Sequence, residues 1–188
     1  VMDCKLENIT GVYLPYWTFD VDTVTDYVVS TGNYIPEGYT NSQRFSGVFY
    51  QTCDDLFVFA SDKIRNPYLP KIQRFDFSKA VPYSPKYLAG YAAERYTVGL
   101  NAAFERAKKK IPRLIDRDIS IFEENAIKCR AYVDKATTTY YNAKYRYLLA
   151  PVYIATYRYK KNKFQVAING QTGQTYCDAP TKWSKMII

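Results

Sequence analysis

The chain has 188 residues, 47% of them hydrophobic, enough to bury the core of one domain without a disulfide or a metal. It carries a net charge of +8, a pI near 9.2 and no histidine. The missing imidazole excludes Ser-His-Asp and Cys-His nucleophile systems, and the positive balance points to an anionic partner without arguing about fold.

Residues 9–29, ITGVYLPYWTFDVDTVTDYVV, are rich in β-branched and aromatic side chains and predict a strand. Strand parity sorts them onto two faces. Tyr13, Trp17, Phe19, Val21 and Tyr27 form an aromatic face expected in the core. Leu14, Tyr16, Thr18, Asp20, Asp22 and Asp26 form a face expected in water. The run STGNYIPEGYTNSQRF (30–45) is turn chemistry, an exposed loop or a loose hairpin. Two short strands are expected at 47–52 and 56–61, separated by Cys53-Asp54-Asp55. Four prolines and little periodicity mark 62–86 as a long irregular connection.

A helical segment is predicted over 86–124. Ser84 can cap it, and Pro85 suits a first turn. Tyr96, Leu100, Phe104, Ala107, Ile111, Leu114, Ile115, Ile119 and Phe122 then recur at three-to-four spacing as one buried stripe. Pro112 must kink or split this helix, because it lacks an amide hydrogen and clashes with the preceding turn. Strands resume over 127–180, with a hairpin signal at Asn169-Gly170-Gln171-Thr172-Gly173. The expected fold is one α+β domain over 1–188: an antiparallel sheet, or sheets, with one long, Pro112-kinked helical segment packed on one face.

The stretch KYRYLLAPVYIATYRYKKNKF (144–164) threads tyrosines with basic residues, and twenty tyrosines in all is unusual. A nucleic-acid platform needs aromatics and cations on one accessible face. Here parity separates them. A turn at Lys161-Asn162 would set Tyr159 opposite Phe164 and Tyr157 opposite Val166, on a face apart from Arg158 and Lys160. Core tyrosines are therefore the favoured reading. The cations remain as two candidate phosphate-binding clusters: Lys108, Lys109, Lys110 and Arg113 on the helix, and Arg158, Lys160, Lys161 and Lys163 at a hairpin tip.

No phosphate loop, dinucleotide fingerprint or nucleophile elbow occurs. Asp20, Asp22 and Asp26 alternate on one strand face, where a polar outer surface is a simpler reading than a Mg²⁺ or Ca²⁺ site. Cys4, Cys53, Cys129 and Cys177 are scattered, with no CxxC pair, and read as reduced thiols. No catalytic residue, metal or cofactor is expected in this domain. The Val1-Met2 start reads as an excised fragment. The apolar ending Lys185-Met186-Ile187-Ile188 is too short to span a bilayer, so membrane attachment is expected only through segments beyond Ile188.

Taken together, GVYLPYWTFD (11–20), DDLFVFAS (54–61), PYSPKYLAGYAAERY (82–96), FERAKKK (104–110) and LLAPVYIATYRYKKNKFQVAINGQTG (148–173) resemble a family of bacterial proteins of unassigned function. Its members carry an N-terminal zinc ribbon like that of transcription factor IIB, and are sometimes labelled relatives of the primosomal helicase. The resemblance implies the C-terminal domain of such a protein, with the ribbon before Val1, and it brings no catalytic residues. The helicase label finds no nucleotide-binding motif here. The expectation is a non-enzymatic binding or assembly module with an unknown protein partner, in the cytoplasm or at the cytoplasmic face of the membrane. The alternative is nucleic-acid binding through the two basic clusters.

Overall fold

Long runs of β-branched and aromatic residues, which lose little by being extended and gain by packing on a pleated surface, build two strands that dominate the molecule. In a computed structural model, which describes residues 4–35, 38–40, 43–64 and 66–177, these are β1 (Cys4–Thr31) and β6 (Ala131–Tyr159). The expectations placed on Val1-Met2 and on Lys185–Ile188 lie outside the described residues. Between β1 and β6 come β2 (Asn33–Ile35), β3 (Gly38–Thr40), β4 (Arg44–Phe59), β5 (Ala92–Ala93), α1 (Leu100–Lys108) and α2 (Ile111–Ile127). After β6 come β7 (Asn162–Asn169) and β8 (Thr175–Cys177). The main sheet runs β4-β1-β6-β7-β8, with β5 added in parallel to β1 through Val12 opposite Ala92. The fold is α+β: a six-stranded, mainly antiparallel sheet with one long bent helix, 100–127, packed against strands. β2 and β3 pair by themselves as a hairpin, within the stretch expected as turn chemistry.

The chain divides into two compact units. The helix unit lies within 17–58 and 100–146, and the cleft unit within 1–16, 59–99 and 147–188. In the helix unit, Ile111, Ile115 and Ile119, each four residues apart, are fully buried together with Ala103 and Ala107. Such a stripe must face an apolar partner. Phe104 packs on Phe19 with ring centroids 5.2 Å apart, whereas Phe122, expected in the buried stripe, meets Phe49 at 5.8 Å and remains 54% exposed near the end of α2. The helix divides at Lys109-Lys110, so that Pro112 falls in the first turn of α2, where no intrahelical N–H is needed. α2 ends at Lys128, which is left-handed (φ 56°) and donates its N–H to the Glu124 carbonyl at 2.9 Å.

Several expectations are corrected. The helix does not begin at 86. Ser84 and Pro85 open only a single 3-10 turn, Pro85–Leu88, and Gly90, at φ 82°, stops it from propagating. Tyr96 is accordingly half in water. Cys53-Asp54-Asp55 does not break the chain into separate strands. Asp55 takes a positive φ of 52° and donates its N–H to Asp20 Oδ1 (3.0 Å), so the irregularity is absorbed inside β4 as a bulge. On β1, alternation holds from Val21 onward, where Val21, Thr23, Thr25 and Tyr27 are buried. Between Leu14 and Phe19 both faces are covered, and Leu14 and Tyr16, expected in water, are fully buried.

The β6–β7 turn uses Lys160-Lys161, two residues earlier in register than expected. Tyr159 faces Asn162 and Tyr157 faces Phe164. A shift of two preserves the faces, and Tyr157 stacks on Phe164 with centroids 5.2 Å apart. The tyrosines of this stretch are not deep core, however. Tyr145 and Tyr147 are exposed, and Tyr153, Tyr157 and Tyr159 are half-buried.

The core of the cleft unit is Tyr16, fully buried among Phe59, Phe75 and Phe77 with centroid distances of 5.4, 5.8 and 6.4 Å. The irregular connection that brings in Phe75 and Phe77 has two further 3-10 turns, Leu69–Lys71 and Phe77–Lys79. A buried amide anchors it. Asn169 Nδ2 donates to the carbonyls of Ile72 (2.8 Å) and Arg74 (3.3 Å), while its Oδ1 accepts the N–H groups of Gln171 (2.8 Å) and Thr172 (2.9 Å). All four hydrogen-bonding sites of the side chain are thereby used, as burial demands.

A candidate binding cleft

The arrangement fixed by Asn169 leaves a cleft of about 680 Å³ in the cleft unit. Its floor is Leu148–Pro151 of β6, and its walls come from the connection 75–88 and from Gly170-Gln171 of the β7–β8 loop. The lining is aromatic: Tyr13, Phe75, Phe77, Tyr83, Tyr87 and Tyr147. At the rim, Val81 and Tyr83 are 64% and 66% exposed, although both are large apolar side chains.

Three polar side chains of the cleft, Asp76, Lys79 and Gln171, already have partners. The Gln171 side chain accepts the Asp76 N–H (2.6 Å) and donates to the Asp76 carbonyl (2.8 Å), fastening loop to connection. The Asp76 carboxylate accepts the Ser78 hydroxyl (2.5 Å) and N–H (3.1 Å) and pairs with Lys79 at 3.3 Å. The Ser78 hydroxyl, ahead of Lys79, holds the Asp76 carboxyl below its usual range. Chemically, the cleft offers apolar area and tyrosine hydroxyls, and the two charged side chains among its described lining, Asp76 and Lys79, are paired with each other. None of its residues was singled out as a site from the sequence. The only signal was the length of the 62–86 connection, because its aromatics converge through the Asn169 contacts and not through any local period.

The residues that were singled out fall into both units. Lys108–Lys110 and Arg113 belong to the helix unit, and Arg158–Lys163 to the cleft unit. Lys108 pairs with Glu105 at 2.7 Å. Lys110 Nζ donates to the Phe57 carbonyl at 2.6 Å, and burial lowers its pKa. Arg158 holds Glu7 through Nε (2.7 Å) and Nη2 (2.6 Å), and Lys163 reaches the same carboxylate at 3.3 Å. Burial works to raise the Glu7 pKa, but the bonds from Arg158 and Lys163 outweigh it and leave it lowered. Lys160 lies 5.5 Å from the Tyr159 ring centroid and is exposed, as are Lys109, Arg113 and Lys161.

On the acidic face of β1, Asp22 accepts the Thr52 hydroxyl (2.8 Å) and the Asn142 amide (3.1 Å). Asp20 receives the Asp55 N–H, with Arg146 at 3.9 Å. Asp26 is exposed. Among the described residues, no three His, Cys, Asp or Glu side chains are grouped to hold a metal ion. Cys53, Cys129 and Cys177 are free thiols, and burial pushes the Cys53 thiol up. No helix among the described residues is long and apolar enough to cross a membrane.

An α+β chain with an aromatic cleft is therefore the class of protein that fold and site define. The chain is similar to the uncharacterized protein YdjG of Bacillus subtilis (strain 168), with 30% identity over 194 residues. The match covers 97% of this chain and 55% of that protein, so the chain spans about half the length of this curated relative. No family model and no solved structure matches it.

Proposed function

We propose that the chain is a non-enzymatic binding module, the C-terminal domain of a longer zinc-ribbon protein, and that its aromatic cleft takes an apolar segment of a protein partner. One observation carries this reading: a cleft lined by six aromatic side chains keeps Val81 and Tyr83 exposed at its rim, while Asp76, Lys79 and Gln171 are consumed by internal bonds. Exposed apolar surface around a concavity is costly unless something covers it. Among the described residues lining it, a charged small molecule would find no free counter-charge. The similarity to a protein nearly twice as long supports the view that this is a segment of a larger chain, and the zinc ribbon rests on the family resemblance of 11–20, 54–61, 82–96, 104–110 and 148–173.

Peptides selected from a random displayed library against the 188-residue chain should be rich in bulky apolar side chains. Val81→Glu combined with Tyr83→Ser should weaken them at least about tenfold by titration. Both positions are exposed, so the fold should survive. Peptides that bind the double variant as tightly as the parent would overturn the reading, and so would a selection that yields none.

Nucleic-acid binding is the second reading, favoured by the exposure of Lys109, Arg113, Lys160 and Lys161. It ranks lower because Lys108, Lys110, Arg158 and Lys163 are spent on intramolecular partners.

A further inference from the structure

β4 ends the strand order of the main sheet, so among the described residues one side of its backbone has no neighbouring strand in that sheet. Which residues turn to that side follows from two hydrogen bonds. The Thr31 N–H donates to the Gln43 carbonyl at 2.9 Å and the Gln43 N–H returns to the Thr31 hydroxyl at 3.3 Å, so the two residues face each other with their backbone groups turned inward. Counting in twos along an antiparallel ladder sets Thr23 opposite Gln51, and there the Thr23 hydroxyl meets the Gln51 carbonyl at 2.9 Å. The odd residues of β4 thus direct their backbone groups to β1, and Ser46, Val48, Tyr50 and Thr52 direct theirs to the open edge. The side chains of these four also lie on the exposed face, where Val48 and Tyr50 are 52% and 71% exposed.

An open edge is normally guarded, and among the described residues the guard covers only one end. Beyond the bulge at Asp55 the register advances by one, with the Ala60 N–H on the Pro15 carbonyl at 2.9 Å. Phe57 now turns outward, and Lys110 caps its carbonyl at 2.6 Å. No comparable cap is present on Ser46–Thr52 among the described residues.

We propose that this edge pairs antiparallel with β4 of a second copy of the chain, about a two-fold axis at Phe49. Antiparallel bonded pairs join outward-facing residues to outward-facing residues, so the axis must fall on a residue and not between two. With the axis at Phe49, Val48 meets Tyr50 of the second copy, Ser46 meets Thr52, and Arg44 meets Asp54, each pair occurring twice. An axis at Val48 or at Tyr50 would leave Arg44 without Asp54 and separate the two apolar side chains. Arg44 is largely exposed and only 3.4 Å paired to Asp134, so its side chain can turn to the new partner. The proposal is independent of whatever fills the cleft, since the residues of the pairing edge, 44–54, belong to the helix unit.

Sedimentation of the 188-residue chain over a range of concentrations should show a monomer–dimer equilibrium. Val48→Lys with Tyr50→Lys should abolish the dimer while the far-ultraviolet dichroism stays unchanged. Arg44→Asp alone, and Asp54→Arg alone, should each raise the dimer Kd about tenfold by opposing like charges, and the double exchange should restore it. A chain that stays monomeric throughout would overturn the proposal. So would a dimer that survives both lysines, or one that the double exchange does not restore.

Discussion

At Gly170 the backbone passes so close to Pro151 that an added Cβ would lie 2.8 Å from its carbonyl oxygen and 2.9 Å from its own Cβ. The Gly170 N–H donates to that same carbonyl at 2.8 Å, so neither side can withdraw without breaking the bond. Gly99, just before α1, has open space where a Cβ would go and an ordinary backbone. Gly170→Ala should therefore cost about 1–3 kcal/mol by overpacking, whereas Gly99→Ala should stay within about 0.5 kcal/mol of the parent. Urea midpoints of the two variants check this. Equal midpoints would mean that the Pro151 contact yields freely.

The helix pair shows an element whose packing is more legible in the sequence than the partners of its cations. The isoleucine stripe was readable because burial on a helix has a period, and Pro112 was readable because its backbone allows few roles. The Lys108–Arg113 run reads as a candidate phosphate-binding cluster, yet Lys108 pairs with Glu105 one turn back, a spacing visible in the sequence, and Lys110 caps the backbone of Phe57, which no local pattern announces. With Lys109, Arg113, Lys160 and Lys161 left exposed, these positions should contribute a slope of no more than about 4 to a log–log plot of DNA affinity against salt. Replacing those four with glutamine should flatten it, and a steeper slope lost in that variant would promote the nucleic-acid reading. Other elements hid for the same kind of reason. The left-handed residues Asp55 and Lys160 placed a bulge and a turn where glycine or asparagine would have signalled them. The cleft was invisible because Asn169 gathers its walls from segments about a hundred residues apart in sequence.

At the scale of the molecule, tyrosine governs the alkaline limit of stability. Burial, aided by Glu123, pushes the Tyr27 hydroxyl up to about 12. Burial also raises Tyr16 and Tyr147, and the hydrogen bond with Tyr153 raises Tyr91. In the unfolded chain these groups ionise near 10. The folded state therefore holds its protons longer, and the associated stability is intact below about pH 10 and lost as pH rises through the folded values. Urea midpoints should be level up to about pH 9 and fall steeply above about pH 10. A midpoint level beyond Tyr27's value of about 12 would contradict the assignment. One consequence of the architecture concerns inheritance. The boundary between the two units cuts β1 after Tyr16 and β6 before Tyr147, in the interior of both strands. No contiguous stretch of the gene encodes either unit, so neither can be lent to another protein by a single exchange. The two have to be copied, and altered, as one.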